Sequence, residues 1–410
     1  MRVLIVNTAE RTGGAAIAAN RLLHALNNNG VEARMLVRDR KTDAPEVISL
    51  PPSWHLRAHF LWERSIIWLN NGLSKQGIFQ VDIANCGTDI TSMDAFCWAD
   101  VIHLHWVNQG FLSLNSLERI FASGKPVVMT LHDQWYFTGI CHYSGECDKF
   151  QKQCSNCPML KGPGMDLAKR VFDRKRAIYE GRNLTFVGCS RWMADLARQS
   201  RLTQGHTVTN IPNAIDTEVF KPMDKAAARQ HHNLPMNKRL LLFGAQRITD
   251  ERKGFRYLAE ACKHLTTATV DLGIVVLGGD AQSVKEALPL PVYTIDYLSS
   301  ETEIAQLYNA VDLFVTPSLQ DNLPNTIVEA MACGTPCVGF DVGGIPEMIE
   351  HQQNGYVARY CDGEDLAGGI IWCLDDTRHN ILSQAARQAA LDTYAESAVA
   401  HRYLQIYQGK

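Results

Sequence analysis

Asp321 and Glu329 are separated by seven residues within the run Ser318 to Pro336. Asp321 falls in a loop carrying Pro324, and Glu329 falls inside the helix that this loop opens. A helix N-terminus offers unsatisfied N–H groups and a partial positive charge to an anion. One acid ahead of that terminus and a second about a turn inside it can hold hydroxyl groups on either side of a bound phosphate. The backbone N–H groups of Asn325 and Thr326 are the candidates for the phosphate itself. The carboxylate of Glu329 can accept two hydrogen bonds, which suits a vicinal diol. A nucleotide sugar presents these groups together. The plainer alternative for Glu329 is a solvated carboxylate on a helix surface.

Three further runs carry polar residues just after apolar segments. Asn7 to Ala16 includes Gly13 and Gly14 at the opening of a helix, where glycine lets backbone approach a ligand; a tight strand-to-helix turn would look the same. His132 follows the apolar segment ending at Leu131, and a His at the carboxyl end of a strand projects toward a ligand-binding edge. Arg247 and Lys253 bracket a charged loop whose two cations could neutralise a departing diphosphate. A charged surface loop is the bland reading there, and Arg252 is read as solvated. No Asp-x-Asp triplet occurs, so cations and a helix terminus, rather than a divalent metal, are expected to neutralise the diphosphate.

Four cysteines, Cys141, Cys147, Cys154 and Cys157, lie within seventeen positions and end in a C-x-x-C step. That spacing suits a closed tetrahedral thiolate site for a structural zinc, which would order the Gly- and Pro-bearing loop 139–160. His142 is an alternative ligand. Disulfides and unrelated buried thiols are the competing readings. His103 and His105 share a strand face by the period of two and read as a site wall rather than a metal pair. Residues 54–69 hold Trp54, Trp62 and Trp68 with Arg57 and Arg64. Apolar residues fall nearly all round, so the segment reads as a buried helix over the first sheet, with docking on a membrane as the alternative.

The elements that position these residues alternate between short apolar runs and longer amphipathic ones, the pattern of βαβ units and a parallel sheet. Strands are expected at 3–6, 33–37, 100–104, 126–131 and 184–189, with helices at 15–28, 114–123, 166–180 and 191–201. A second set has strands at 239–243, 272–277, 292–295, 313–316 and 336–340, with helices at 255–264, 301–310, 325–333 and 365–375. Residues 394–407 are helical by period. Between the sets, Pro212, Asn213 and Pro222 punctuate the chain. The domains expected are 1–212, 213–390 and a terminal helix within 391–410.

The run from Ser318 to Glu347, with Gly343, Gly344 and Pro346, resembles the signature of family 4 glycosyltransferases. The linker from Ile211 to Pro222 is similar to theirs. The resemblance implies the GT-B fold, an α/β architecture of two doubly wound, Rossmann-like domains facing across a cleft, with the terminal helix crossing back to the first. It implies a retaining transfer of a hexose from GDP- or UDP-sugar to a saccharide, lipid-linked, acceptor. By that resemblance Gly13 and Gly14 face the donor phosphates, and His132 hydrogen-bonds the donor sugar near the reacting carbon. Arg247 and Lys253 neutralise the diphosphate, Asp321 contacts the hexose, and Glu329 holds the ribose. The family usually carries Glu where this chain has Asp321, one methylene shorter. Family members from polysaccharide clusters show a similar Thr-Leu-His-Asp-x-Trp run followed by a Cys-rich loop, which implies a place in surface polysaccharide assembly. No cofactor is required for that chemistry.

The remaining bounds exclude other classes. The chain has 410 residues, 46% hydrophobic and 20% charged, an ordinary globular composition. A formal net charge of -3 argues against a nucleic-acid surface. No apolar stretch approaches the roughly 20 residues of a membrane-spanning helix, and the apolar start is too short for a signal peptide. A cytoplasmic protein, in peripheral contact with the inner face of a membrane, is expected. Two readings compete with the transferase: a non-catalytic scaffold or binding protein of the same fold, whose sequence support is Asp321, and a nucleotide-sugar epimerase.

Overall fold

Runs of Val, Ile and Leu flanked by Gly, Asn and Pro form parallel strands buried on both faces, as such runs do. The computed structural model describes residues 1–51, 53–162, 165–266 and 271–409. The chain divides into two compact units, Met1–Pro212 with Val399–Lys410, and Asn213–Ala398. Each is a parallel-sheet α/β domain.

The first unit contains β1 (Arg2–Ala9), β2 (Glu32–Asp39), β3 (Val47–Ser49), β4 (Val101–Leu104), β5 (Val127–Leu131), β6 (Leu184–Gly188) and β7 (Thr207–Asn210). They run in the order β3-β2-β1-β4-β5-β6-β7, so chain direction along the sheet reverses between β1 and β4. Ligands of doubly wound sheets bind outside the carboxyl ends of strands at such a reversal. The loops after β1 and β4 are zipped together there. Thr8 donates its N–H to the carbonyl of Trp106 at 2.7 Å, and Trp106 donates its N–H to Asn7 Oδ1 at 2.9 Å.

The second unit contains β8 (Arg239–Gly244), β9 (Leu272–Leu277), β10 (Val292–Ile295), β11 (Leu313–Thr316), β12 (Cys337–Phe340) and β13 (Gly355–Ala358), in the order β10-β9-β8-β11-β12-β13. Its reversal lies between β8 and β11. The base of β11 is anchored by Asp312, which is 2% exposed and accepts from Lys225 Nζ, Arg229 Nη2 and the Leu240 N–H within 2.8 Å.

Two elements depart from expectation. The helix Trp54–Asn70 was read as buried, yet it buries only Glu63, Arg64 and Ile67. Trp54 is 72% exposed and Trp62 58% exposed, with Leu61 and Leu69 also outward. Its Glu63 and Arg64 point inward because backbone donors and acceptors wait there. Glu63 Oε1 accepts the N–H groups of Ile83 and Ala84 at 3.0 and 2.6 Å, and Arg64 donates to the Val81 carbonyl and to Asp82 Oδ2, each at 3.0 Å. The second departure is a long helix, Asp376–Tyr394, that the expected elements lacked; it breaks at Ala395 before the terminal helix Glu396–Tyr407.

That last helix packs within the first unit. Tyr407 OH lies 2.7 Å from His103 Nδ1, His103 Nε2 lies 2.7 Å from Thr130 Oγ1, and Thr130 Oγ1 lies 2.9 Å from Tyr403 OH. His103 is therefore a fully buried docking residue and not a site wall, which corrects the sequence expectation.

Candidate active site

In the second unit the loops after β8 and β11 flank the sheet reversal, and they bring together two of the expected residues, Lys253 and Asp321. Gly254 makes the first close approach possible. Its φ is +70°, and a Cβ there would stand 1.8 Å from the Pro317 carbonyl oxygen, so only glycine lets the two loops touch. Leu319 seals the contact by donating its N–H to the Arg252 carbonyl at 2.7 Å. Lys253, the residue before that glycine, reaches Asp321 with Nζ to Oδ2 at 2.8 Å. Gly343 makes the second approach: at φ +60°, a Cβ would stand 1.9 Å from the Asp321 carbonyl oxygen. The backbone of Asp321 is thus held between two neighbouring loops, and its side chain is held by a lysine.

Asn325–Ala332 forms the expected helix, and its N-cap is Pro324, which supplies no side-chain acceptor. A helix N-terminus points its first-turn N–H groups outward, the arrangement that suits an anion. Asn325 Oδ1 accepts from Asn213 Nδ2 at 2.9 Å. Glu329 is buried one turn in, and Tyr308 OH donates to its Oε2 at 3.1 Å. Burial, with the neighbouring Glu329 charge, holds the Tyr308 phenol well above its usual range, so it stays a donor. Arg247 is exposed on the loop after β8 and makes no ion pair among the described residues. Asp280 pins that loop by accepting the Ile248 N–H and the Thr249 hydroxyl, both at 2.7 Å. Arg252 is exposed and pairs with Asp250 at 2.7 Å.

The first unit presents a different edge. Gly13 is the N-cap of the helix Gly14–Asn28 after β1, with no side-chain cap. His132 follows β5, with Nε2 2.8 Å from His105 Nδ1 and Nδ1 3.6 Å from Cys189 Sγ. Burial pushes His132 down to about 4 and His103 down to about 3, and it holds His105 well below the usual range. All three are neutral imidazoles at neutral pH. Both ring nitrogens of His132 are engaged by these neighbours, so the ring meets a sugar only by exchanging one of them. The neighbouring Asp133 accepts from Trp106 Nε1 at 2.8 Å and pairs with His142 Nδ1 at 2.7 Å. Burial would raise its carboxyl, but the His142 charge and these hydrogen bonds hold it below the usual carboxylate range.

The segment after His132 rests on Lys175, which sequence reading missed. This fully buried lysine donates to the carbonyls of Trp135, Thr138 and Gly139 and lies 3.5 Å from the Trp135 ring centre. Burial lowers it to about 7. A lysine inside a helix of mixed polarity gives no local signal of such a role. Tyr308 was missed for the same reason.

The four cysteines of the loop 139–160 are free thiols. Cys141 and Cys154 are buried, Cys147 and Cys157 partly so, and the Gly139 N–H lies 3.2 Å from Cys154 Sγ. Four thiols are the right donors for zinc. Among the described residues, however, no three His, Cys, Asp or Glu side chains are gathered closely enough to hold a metal ion.

Two parallel-sheet α/β domains match the class of the GT-B glycosyltransferase fold in solved structures. The chain aligns along its full length with the sucrose-phosphate synthase of Thermosynechococcus elongatus (TM-score 0.69, 18% identity, 98% of that chain). It also aligns with Anabaena HepE in complex with UDP and glucose (TM-score 0.65, 16% identity, all of that chain). The profile described as Glycosyltransferase Family 4 matches residues 12–219, and that described as Glycosyl transferases group 1 matches residues 237–376. The chain belongs to glycosyltransferase family 4.

Among curated relatives it is 25% identical over 207 residues to the N-acetyl-alpha-D-glucosaminyl L-malate synthase of Bacillus anthracis, 49% of this chain and 53% of that protein. It is 34% identical over 114 residues to the N,N'-diacetylbacillosaminyl-diphospho-undecaprenol alpha-1,3-N-acetylgalactosaminyltransferase of Campylobacter jejuni, 28% of this chain and 30% of that one. The chain thus spans about half or less of the length of these two. A D-inositol 3-phosphate glycosyltransferase 2 of Catenulispora acidiphila matches at 27% over 97% of this chain and 94% of its own length.

Proposed function

We propose that this protein is a retaining hexosyltransferase that moves a sugar from a nucleotide donor, UDP- or GDP-linked, to a lipid-linked saccharide in surface polysaccharide assembly, at the inner face of a membrane. The observation that carries it is the Lys253–Asp321 pair beside the uncapped helix that bears Glu329. Glu329, oriented by Tyr308, takes the two ribose hydroxyls. The first-turn N–H groups of Asn325 and Thr326 take a phosphate. Arg247 and Lys253 stabilise the negative charge that grows on the diphosphate as the sugar–oxygen bond breaks. Asp321 orients the sugar. The acceptor hydroxyl then bonds to the anomeric carbon on the face the diphosphate leaves, and its proton passes to the departing phosphate oxygen. The charges needed are supplied by side chains and a helix terminus, so the transfer is proposed to run without a divalent metal.

The donor classes are supported by a structural neighbour bound to UDP and glucose and by a relative named a GDP-mannose-dependent alpha-mannosyltransferase. The acceptor is supported by two relatives named for diphospho-undecaprenol substrates. A thermal-shift screen of nucleotide sugars tests the reading. One donor should raise the melting temperature, and Glu329→Ala should remove that rise. If no donor binds the folded protein, the non-catalytic scaffold reading replaces this one.

A structural zinc on Cys141, Cys147, Cys154 and Cys157 remains a proposal that needs these thiols to draw together. One equivalent of zinc in purified protein, lost in Cys154→Ser, would support it. Metal-free protein of unchanged stability would end it.

A further inference from the structure

The outward face of the helix Trp54–Asn70 has no use in the chemistry above. Trp54, Leu61, Trp62 and Leu69 are spaced i, i+7, i+8 and i+15, which places them on one stripe of a 3.6-residue helix. All four are exposed, and so are Leu73 and Phe79 just beyond the helix end. Isolated exposed apolar residues are ordinary, whereas a contiguous patch marks a surface that is covered in use. The stripe cannot roll inward. Glu63 and Arg64 lock the underside of the helix to the 78–84 segment through the bonds already described, and inversion would strand the Arg64 charge, the Glu63 carboxyl and the backbone groups they serve. Burial beside Asp82 raises the Glu63 carboxyl, so the locked underside also avoids two full negative charges side by side.

The charge around the stripe is one-sided. From residue 53 to residue 82 the exposed charged residues are Arg57 and Lys75, and the two acids, Glu63 and Asp82, are both buried. Beside the stripe a groove of about 360 Å³ is lined by Trp62, Ile66, Ile83 and Met165, with Arg170 and Arg174 also in its wall. Arg170 is exposed, and Arg174 is paired with Glu118. Lys161 adds a further exposed cation against the helix end, its N–H held by Asn71 Oδ1 at 2.9 Å. Tryptophans with a polar edge, an apolar groove and surrounding cations match the boundary between acyl chains and anionic headgroups.

We propose that this face docks on an anionic lipid bilayer, with the tryptophan stripe entering the interface and Arg57, Lys75, Lys161 and Arg170 meeting lipid phosphates. It deepens the reading of a lipid-linked acceptor by naming the surface that meets the lipid, but it is tested without any transfer. The full chain is sedimented with vesicles of phosphatidylcholine alone and of phosphatidylcholine mixed equally with phosphatidylglycerol, while tryptophan emission is recorded. Binding to the anionic vesicles, a blue shift, and weakening by salt are expected. The double variant Trp62→Ser, Leu69→Ser should lose about tenfold or more of its partitioning. Arg57→Glu with Lys75→Glu should abolish the preference for phosphatidylglycerol. Both pairs are exposed, so melting temperature and donor-induced stabilisation should stay at wild-type values. The donor screen can therefore fail while vesicle binding stands, and the reverse. Absence of wild-type binding, equal binding by the apolar double variant, or a concentration-dependent dimer that this variant dissolves would overturn the proposal.

Discussion

Both sheets end in loops that carry polar side chains, but the two edges are built on opposite electrostatic principles. The second unit sets charges at its edge: Lys253, Asp321 and Arg247 are at least partly exposed, and glycine contacts between loops fix their backbone. The first unit sets neutral imidazoles at its edge and holds them by burial, with His103, His105 and His132 tied to hydroxyls, a thiol and each other. A charged edge close to water contributes little to stability, because exposed ion pairs are worth about 0–1 kcal/mol. A buried polar edge is costly to disturb, because every orphaned group loses its partner. Function and stability should therefore separate in one unit and coincide in the other.

The sharpest break is expected at the charged edge. Glu329→Ala and Lys253→Ala should each cut transfer by about a hundredfold to a thousandfold, the scale of losing one electrostatic contact to a transition state. Denaturant melts should show both variants folded. Wild-type turnover in both would remove the site assignment.

Lys175→Met tests the buried edge. Three carbonyls lose their donor at once, and a loss of about 3 kcal/mol in unfolding free energy is expected from urea titration. An unchanged midpoint would show that the segment after His132 does not depend on the lysine.

Acid should act on the same edge. His132 at about 4 and His103 at about 3 lie below the usual 6.5, so between those values the unfolded chain binds more protons than the folded one. Stability is full above about 6.5 and falls as the pH drops, by about 2 kcal/mol for each of these two residues at about pH 5. A melting temperature that is flat between neutral and mildly acidic pH would contradict the burial of these rings. The smallest effect sharpens the comparison from the other side. Asp321→Glu adds one methylene to a side chain already paired with Lys253. Transfer should stay within about tenfold of wild type, since a shift of that size perturbs geometry without removing a charge.

What could be read from the residues alone follows the same division. The run from Asp321 to Glu329 was legible because a loop, a proline and a helix start are consecutive in the chain, and the helix begins at Asn325 as expected. The Lys253–Asp321 pair was not, since its partners are 68 positions apart and meet only because Gly254 and Gly343 let three loops touch. The helix Trp54–Asn70 was visible as a helix, yet its orientation was misread. Apolar residues fall nearly all round it, so nothing local marks the exposed face, and only the distant groups at 78–84 turn Glu63 and Arg64 in. The short edge strands Val47–Ser49, Thr207–Asn210 and Gly355–Ala358 escaped because three or four residues with polar members carry no readable alternation.

The terminal helix, finally, has a consequence for biosynthesis. A ribosome makes β4 and β5 early, but the tyrosines that meet His103 and Thr130 come some three hundred residues later. Until then the nascent first unit carries an open polar socket in an otherwise apolar wall. Such a chain matures from its tail, and an amber stop ahead of Tyr403 should leave a protein whose early half is the part that fails to close.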